Sequence, residues 1–137
     1  LAVDNDLAPF LTVVETVLGR LSNRDAMQFS ERNVKAVFAA LLTPSNVYLV
    51  RSEPELERRY ADLLCTALPA VRVNHNFVFE LKYLKKSDAD RIEETTRAAK
   101  TQLEGYLQTP DLRQIPDLRA YAIVFVGDEA KSVVRVG

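Results

Sequence analysis

The sequence predicts an α/β domain layered around a mixed sheet, and three observations predict it. The apolar run His75-Asn76-Phe77-Val78-Phe79-Glu80-Leu81-Lys82-Tyr83-Leu84 is rich in aromatic and β-branched residues at odd and even positions alike, as an interior strand covered on both faces is. Three other segments repeat apolar residues at three- and four-residue spacing, the mark of a helix with one buried stripe. The two kinds of segment follow in the order helix, helix, strand, strand, strand, helix, strand, strand, which a layered sheet accommodates.

The first helix is carried by Leu7, Phe10, Leu11, Val14, Val17, Leu18 and Leu21, with Pro9 tolerable near its start, so it spans about residues 4–21 and closes at Gly19, Ser22 and Asn23. Ser30 reads as the N-cap of a second helix through Leu42, whose buried stripe is Val34, Val37, Phe38 and Leu41 and whose end is Thr43-Pro44-Ser45-Asn46. Val47–Ser52 and Arg59–Thr66 read as a strand pair joined by the polar turn Glu53–Arg58. Residues 68–74 turn into the strand that ends at Leu84. Ser87 reads as the N-cap of a long helix to Leu107, with Asp88 and Asp90 in its first turn and Ile92, Ala99, Leu103 and Tyr106 on its packed face. Thr109-Pro110 ends that helix. Tyr121–Val126 is a fourth strand, and Ser132–Val136 a short last one.

A chain of 137 residues is expected to be one domain, large enough to bury a core without disulfide or metal staples. Its 47% hydrophobic and 27% charged residues are ordinary for a soluble globular domain, and no apolar run approaches the ~20 residues of a membrane span. The single cysteine, Cys65, excludes an internal disulfide and a multi-cysteine zinc site; it reads as a small core residue in a reducing compartment, which points to the cytoplasm. The chain starts at Leu1 with no basic-then-apolar leader, so a fragment of a longer protein is expected. A net charge of −1 gives no general attraction to a polyanion and counts against avid non-specific DNA binding.

Two charges interrupt the interior strand. Side chains alternate along a strand, so Glu80 and Lys82 share one face, roughly 6–7 Å apart, while Phe77, Phe79, Leu81 and Tyr83 point the other way. Taking each ion out of water costs several kcal/mol unless something compensates, so the pair needs a partner or a task; a solvated strand end or a plain ion pair also fits the tripeptide taken alone. Asp62 is a second carboxylate inside an apolar strand, sharing a face with Tyr60 and Leu64. Glu31 falls on the buried face of the second helix at its first turn, where the helix dipole alone favours a carboxylate. Gln102 lies beside the packed stripe of the long helix, four residues before Tyr106. His75, the only histidine, sits beside Asn74 and Asn76 and reads as a turn or surface residue, not as the base of a nucleophilic triad.

In this order and on these elements, Glu31, Asp62, Glu80-Leu81-Lys82 and Gln102 resemble the PD-(D/E)xK nuclease superfamily. Arg59-Tyr60-Ala61-Asp62-Leu63 and Phe77-Val78-Phe79-Glu80-Leu81-Lys82-Tyr83 look most like the nuclease-like domains at the C-terminus of prokaryotic AAA-ATPase-like proteins, and Gln102-Leu103-Glu104-Gly105-Tyr106 has the Gln-x-x-x-Tyr form of the RecB-like branch. The likeness covers roughly residues 30 to 126, and Ala61 stands where the family name has a proline.

The resemblance implies a restriction-endonuclease-like core, a mixed central sheet flanked by helices, with the first helix ahead of it. It implies metal-dependent hydrolysis of phosphodiesters in DNA with Mg²⁺, or Mn²⁺ on the same oxygen ligands. Asp62, Glu80 and the Leu81 backbone carbonyl are then the metal ligands, with Glu31 available to a water or a second ion. As an ammonium beside those carboxylates, Lys82 would orient the attacking water and hold charge developing on phosphate; service as a general base would require it to lose its proton first. Gln102 and Tyr106 would position water or a phosphate oxygen. Lys85 and Lys86, and Arg91, Arg97 and Lys100 beyond them, can meet a phosphate backbone or serve only as solvated surface. The same resemblance implies an ATPase domain in the full-length chain and is compatible with a homodimer. Two alternatives stand beside the enzyme: a nuclease-fold domain that no longer cuts and serves as an interaction or regulatory module, and a structural α/β domain with an accidental ion pair.

Overall fold

The computed structural model describes residues 7–25, 31–42, 48–52, 55–56, 59–60, 63–67 and 76–137. In chain order the elements are α1 (Ala8–Asp25), α2 (Glu31–Leu42), β1 (Tyr48–Ser52), β2 (Glu55–Leu56), β3 (Arg59–Tyr60), β4 (Leu63–Ala67), β5 (Asn76–Leu84), a 3-10 turn (Lys86–Arg91), α3 (Ile92–Leu107), α4 (Pro110–Arg113), β6 (Leu118–Val126) and β7 (Glu129–Val136). Five strands form one sheet in the order β1-β4-β5-β6-β7, and β2 pairs with β3 in a separate small ribbon. Among the described residues only β5 and β6 run parallel; their register, from Asn76 opposite Leu118 to Leu84 opposite Val126, has no break. A parallel pair requires a crossover, and α3 supplies it.

The pattern of β5 is satisfied on both faces. Phe77, Phe79 and Leu81 join Tyr121, Ile123 and Phe125 of β6 under α1 and α2, which contribute Leu7, Leu11, Val14, Leu18, Val34 and Phe38. On the other face Val78, Ala120 and Ala122 meet Ala99, Leu103 and Tyr106 of α3. The expected layered α/β architecture, with the motif strand interior to a mixed sheet flanked by helices, is therefore the one observed.

Several boundaries differ from expectation for local reasons. α1 continues through Gly19 to Asp25. One glycine costs a helix only about 1 kcal/mol, and a Cβ at this one would stand 3.2 Å from Asp128 Oδ2, so its smallness admits the β6–β7 turn. The expected turn Glu53–Arg58 contains β2, which pairs Glu55 with Tyr60, and the expected strand from Arg59 to Thr66 is two strands, β3 and β4. Ser87 is not an N-cap but lies inside the 3-10 turn, where Asp88 departs from helical geometry (φ −104°, ψ 19°); α3 begins only at Ile92. Beyond Thr109-Pro110 the chain makes the short α4, with Thr109 as its N-cap and the proline in its first turn. β6 starts three residues early because Asn76 grips the preceding loop, its backbone N–H donating to Asp117 O at 3.1 Å and its Nδ2 to Pro116 O at 2.8 Å. β7 begins at Glu129 because an edge strand can turn Glu129 and Lys131 to solvent, and a register shift between Val124 and Phe125 accommodates the turn.

Candidate active site

Glu80 occupies the middle of β5 and is 2% exposed, with Oε2 fully buried. It faces α3, because the neighbours that share its face are Val78 and Lys82. Its register partner on β6 is Ala122, and that of Lys82 is Val124. The small Ala122 leaves the volume that a carboxylate on this face needs. Lys82 is half-buried, Leu81 between them is fully buried on the opposite face, and Lys85 and Lys86 beyond the strand are exposed. The Lys86 stem lies over Gly127, whose left-handed backbone (φ 61°) and missing Cβ make the space.

Asp62 lies outside the described residues, as does His75. The residue after Asp62, Leu63, is the antiparallel partner of Phe79, the residue before Glu80. Glu31 opens α2, and its side-chain placement is likewise outside what is described. Among the described residues no group of three or more His, Cys, Asp or Glu is placed to hold a metal ion. The donors that are described fit a hard divalent cation in kind: a buried carboxylate oxygen of Glu80 with the Leu81 carbonyl next to it.

α3 runs antiparallel to β5 above this face. Its first residue, Ile92, packs on Leu84, Val124 and Val126, and its far end, Leu103 and Tyr106, on Val78 and Ala120. A helix rises about 1.5 Å per residue against about 3.3 Å for a strand. Counted from Ile92 over Leu84, Thr96 comes level with Lys82 and Thr101 with Glu80, Gln102 standing within about 2 Å of that level along the helix axis. One bond checks the count: Thr96 Oγ1 donates to Ser132 Oγ at 2.9 Å, and Ser132 is the partner of Val124, itself the partner of Lys82.

The same bond orients the helix. Thr96 marks the flank that faces β7, and at about 100° per residue Gln102 lies about 120° around from it, on the flank that faces β4. Gln102 is exposed there, level with Glu80 and open to solvent. Tyr106 is 8% exposed and sits among Val78, Leu103 and Leu112, so its ring packs. The pairs Arg91–Glu94 (3.8 Å) and Lys100–Glu104 (4.0 Å) are on the solvated surface of the helix, where such pairs contribute little. The small Ala122 opposite Glu80 carries no sequence signal of its own; the parallel register is what reveals it.

On the other side of the sheet, behind Lys82, Tyr83 is half-buried. Burial first, and then the Asp128 carboxylate, push its phenol above the ordinary value. The N–H of Ala130 donates to Glu15 Oε2 at 3.1 Å and ties α1 to the start of β7.

An acidic and a basic side chain two residues apart on the central strand of a helix-flanked mixed sheet define a protein whose sheet carries a charged site, as opposed to a uniformly apolar core. The family model for the PD-(D/E)XK nuclease superfamily matches residues 29–134, and the chain belongs to that superfamily. Its sheet and helices have the restriction-endonuclease-like arrangement. The matched span includes Glu31, Asp62, Glu80, Lys82 and Gln102, while α1 precedes it. Neither the comparison with curated proteins nor that with solved structures gives a match. Among the described residues no helix is long and apolar enough to cross a membrane.

Proposed function

We propose that the chain is a metal-dependent nuclease domain that hydrolyses phosphodiester bonds in DNA. The observation that carries this reading is the 2% exposure of Glu80 on the central strand, with Lys82 half-buried two residues on and on the same face. Burying a carboxylate is costly unless an ion or hydrogen bonds compensate it, and in this superfamily the position has a use. Glu80, Asp62 and the Leu81 carbonyl are the oxygens that would hold Mg²⁺ or Mn²⁺, and Glu31 would reach a water or a second ion. A divalent ion so held supplies neutralisation of the phosphate charge and polarisation of a water.

The remaining work falls to the chain itself. Lys82 orients the attacking water and holds the negative charge that develops on the phosphate. Gln102, exposed above Glu80, presents an amide to that water or to a phosphate oxygen, and Tyr106 fixes the helix that carries it. Exposed Lys85 and Lys86 extend the positive charge beyond the strand end for the phosphate backbone. The test is cleavage of duplex and single-stranded DNA with Mg²⁺ or Mn²⁺, by the chain and by its Asp62→Asn and Lys82→Ala variants. The expected outcome is cleavage that either change lowers by more than 100-fold with folding intact. Metal binding that depends on Asp62 without cleavage of any substrate would replace the enzyme with an interaction module.

A further inference from the structure

A cavity of about 360 Å³ opens at the far end of the sheet face that carries Glu80. It is bordered by Thr66 of β4, by Asn76 at the start of β5, and by Asp111, Gln114, Ile115 and Pro116 from α4 and the loop after it. Side chains alternate along a strand, so Thr66 shares a face with Leu64 and Asn76 with Val78, and both of those neighbours pack under α3. Glu80 lies on that face four residues beyond Asn76, roughly 13 Å away. The cavity also falls on the β4 side of β5, the flank on which Gln102 is exposed.

Its walls are of two kinds. Ile115 packs against the core beside Leu112, and Pro116 is held in place by the bond from Asn76 Nδ2 to its carbonyl, 2.8 Å. These form a fixed apolar side. Asp111 and Gln114 are exposed and Thr66 is half-buried, so a carboxylate, a carboxamide and a hydroxyl border the same space, the mixture of apolar wall and few polar groups that binds a small ring. Neither Lys nor Arg is among the described walls, and a carboxylate repels a phosphate, so the backbone of a nucleic-acid strand does not suit the cavity. A base does. A carboxylate accepts from an exocyclic amine, as Asp and Glu do from N4 of cytosine, and a carboxamide beside it can both donate and accept.

We propose that this cavity is a nucleobase subsite for the substrate strand, taking an unpaired base whose exocyclic amine donates to Asp111 while Gln114 meets the adjoining edge of the ring. The inference rests on the nuclease reading and deepens it: the domain has a base preference a few nucleotides from the bond that is cut, since stacked nucleotides rise ~3.4 Å each along a strand. Thymine presents a carbonyl oxygen where cytosine presents its amine, and that oxygen would stand against the carboxylate.

The experiment measures equilibrium binding of short oligodeoxycytidine and oligodeoxythymidine strands in Ca²⁺, with thermal unfolding in parallel, for the chain and for Asp111→Ala, Gln114→Ala and Lys82→Ala. The parent is expected to bind the cytidine strand about 10-fold more tightly than the thymidine strand, the scale of a hydrogen bond to a charged group. Asp111→Ala is expected to erase that preference by weakening the cytidine strand alone. Loss of a negative charge with no base contact would instead strengthen both strands alike. Equal affinities in the parent, or an equal change of both strands in Asp111→Ala, overturn the subsite, and the nuclease reading stands if Lys82→Ala weakens both. Should Asp111→Ala lower the unfolding temperature, Gln114→Ala decides: a reduced preference supports the subsite and an unchanged one overturns it. If the parent neither binds nor cleaves DNA, the subsite and the nuclease reading fall together.

Discussion

The two faces of the central sheet are built differently. Under α1 and α2 the contacts are large and aromatic: Phe38 meets Phe10 edge-on at 4.9 Å and Phe79 at 5.0 Å between ring centroids, and Phe77, Phe79 and Tyr121 form a near-parallel triangle of rings. Under α3 the strands offer Val78, Ala120 and Ala122 to Ala99 and Leu103, and the polar residues Glu80 and Lys82 stand among them. Large rings bury the most apolar area and supply stability. Small side chains leave volume for charged groups and supply a site. One strand serves both because successive side chains point to opposite faces.

The sharpest way to break the contrast is on the aromatic face. Phe38 is fully buried and touches three other rings, so Phe38→Ala should cost about 3–5 kcal/mol in urea unfolding. Any DNA cleavage by the fraction that stays folded should keep its metal dependence. On the other face Ala122→Leu puts three further carbons beside Glu80, and overpacking of this kind costs about 1–3 kcal/mol. Here metal binding should fall along with the unfolding midpoint, whereas Phe38→Ala should leave affinity per folded molecule unchanged. The smallest effect concerns Tyr83, which borders the aromatic face. Its phenol titrates above its ordinary value of about 10 in the folded state, so the folded chain retains a proton that the unfolded chain gives up, and stability falls as pH rises beyond that value. Tyr83→Phe should remove this part of the alkaline loss, read as a smaller difference between unfolding midpoints at neutral and strongly alkaline pH.

Much of this contrast was legible in the residues. The aromatic and β-branched run identified β5 as interior, and the period of Ile92, Ala99, Leu103 and Tyr106 identified the packed face of α3. Other features were not legible, for definite reasons. The two-residue strands β2 and β3 are too short to show a period, and the charged residues at the start of β7 look like a turn because an edge strand tolerates them. The 3-10 turn ahead of α3 hides behind a serine and two aspartates that mimic a helix cap. For the site, the shared face of Glu80 and Lys82 followed from strand alternation alone. The exposure of Gln102 did not, because adjacency to a stripe leaves open which flank of the helix carries the residue, and the Thr96–Ser132 bond decides it. Asp62 lies outside the described residues; its neighbour Leu63 pairs with Phe79, the residue before Glu80.

The central claim is that a carboxylate was buried at position 80 to hold a divalent cation. Calorimetric titration of Mn²⁺ into the chain, Glu80→Gln and Lys82→Ala tests it most directly. Binding by the parent and by Lys82→Ala, with loss of at least 10-fold in affinity for Glu80→Gln at an unfolding temperature no lower than the parent's, is the predicted result. Equal Mn²⁺ affinity in the parent and in Glu80→Gln would contradict it.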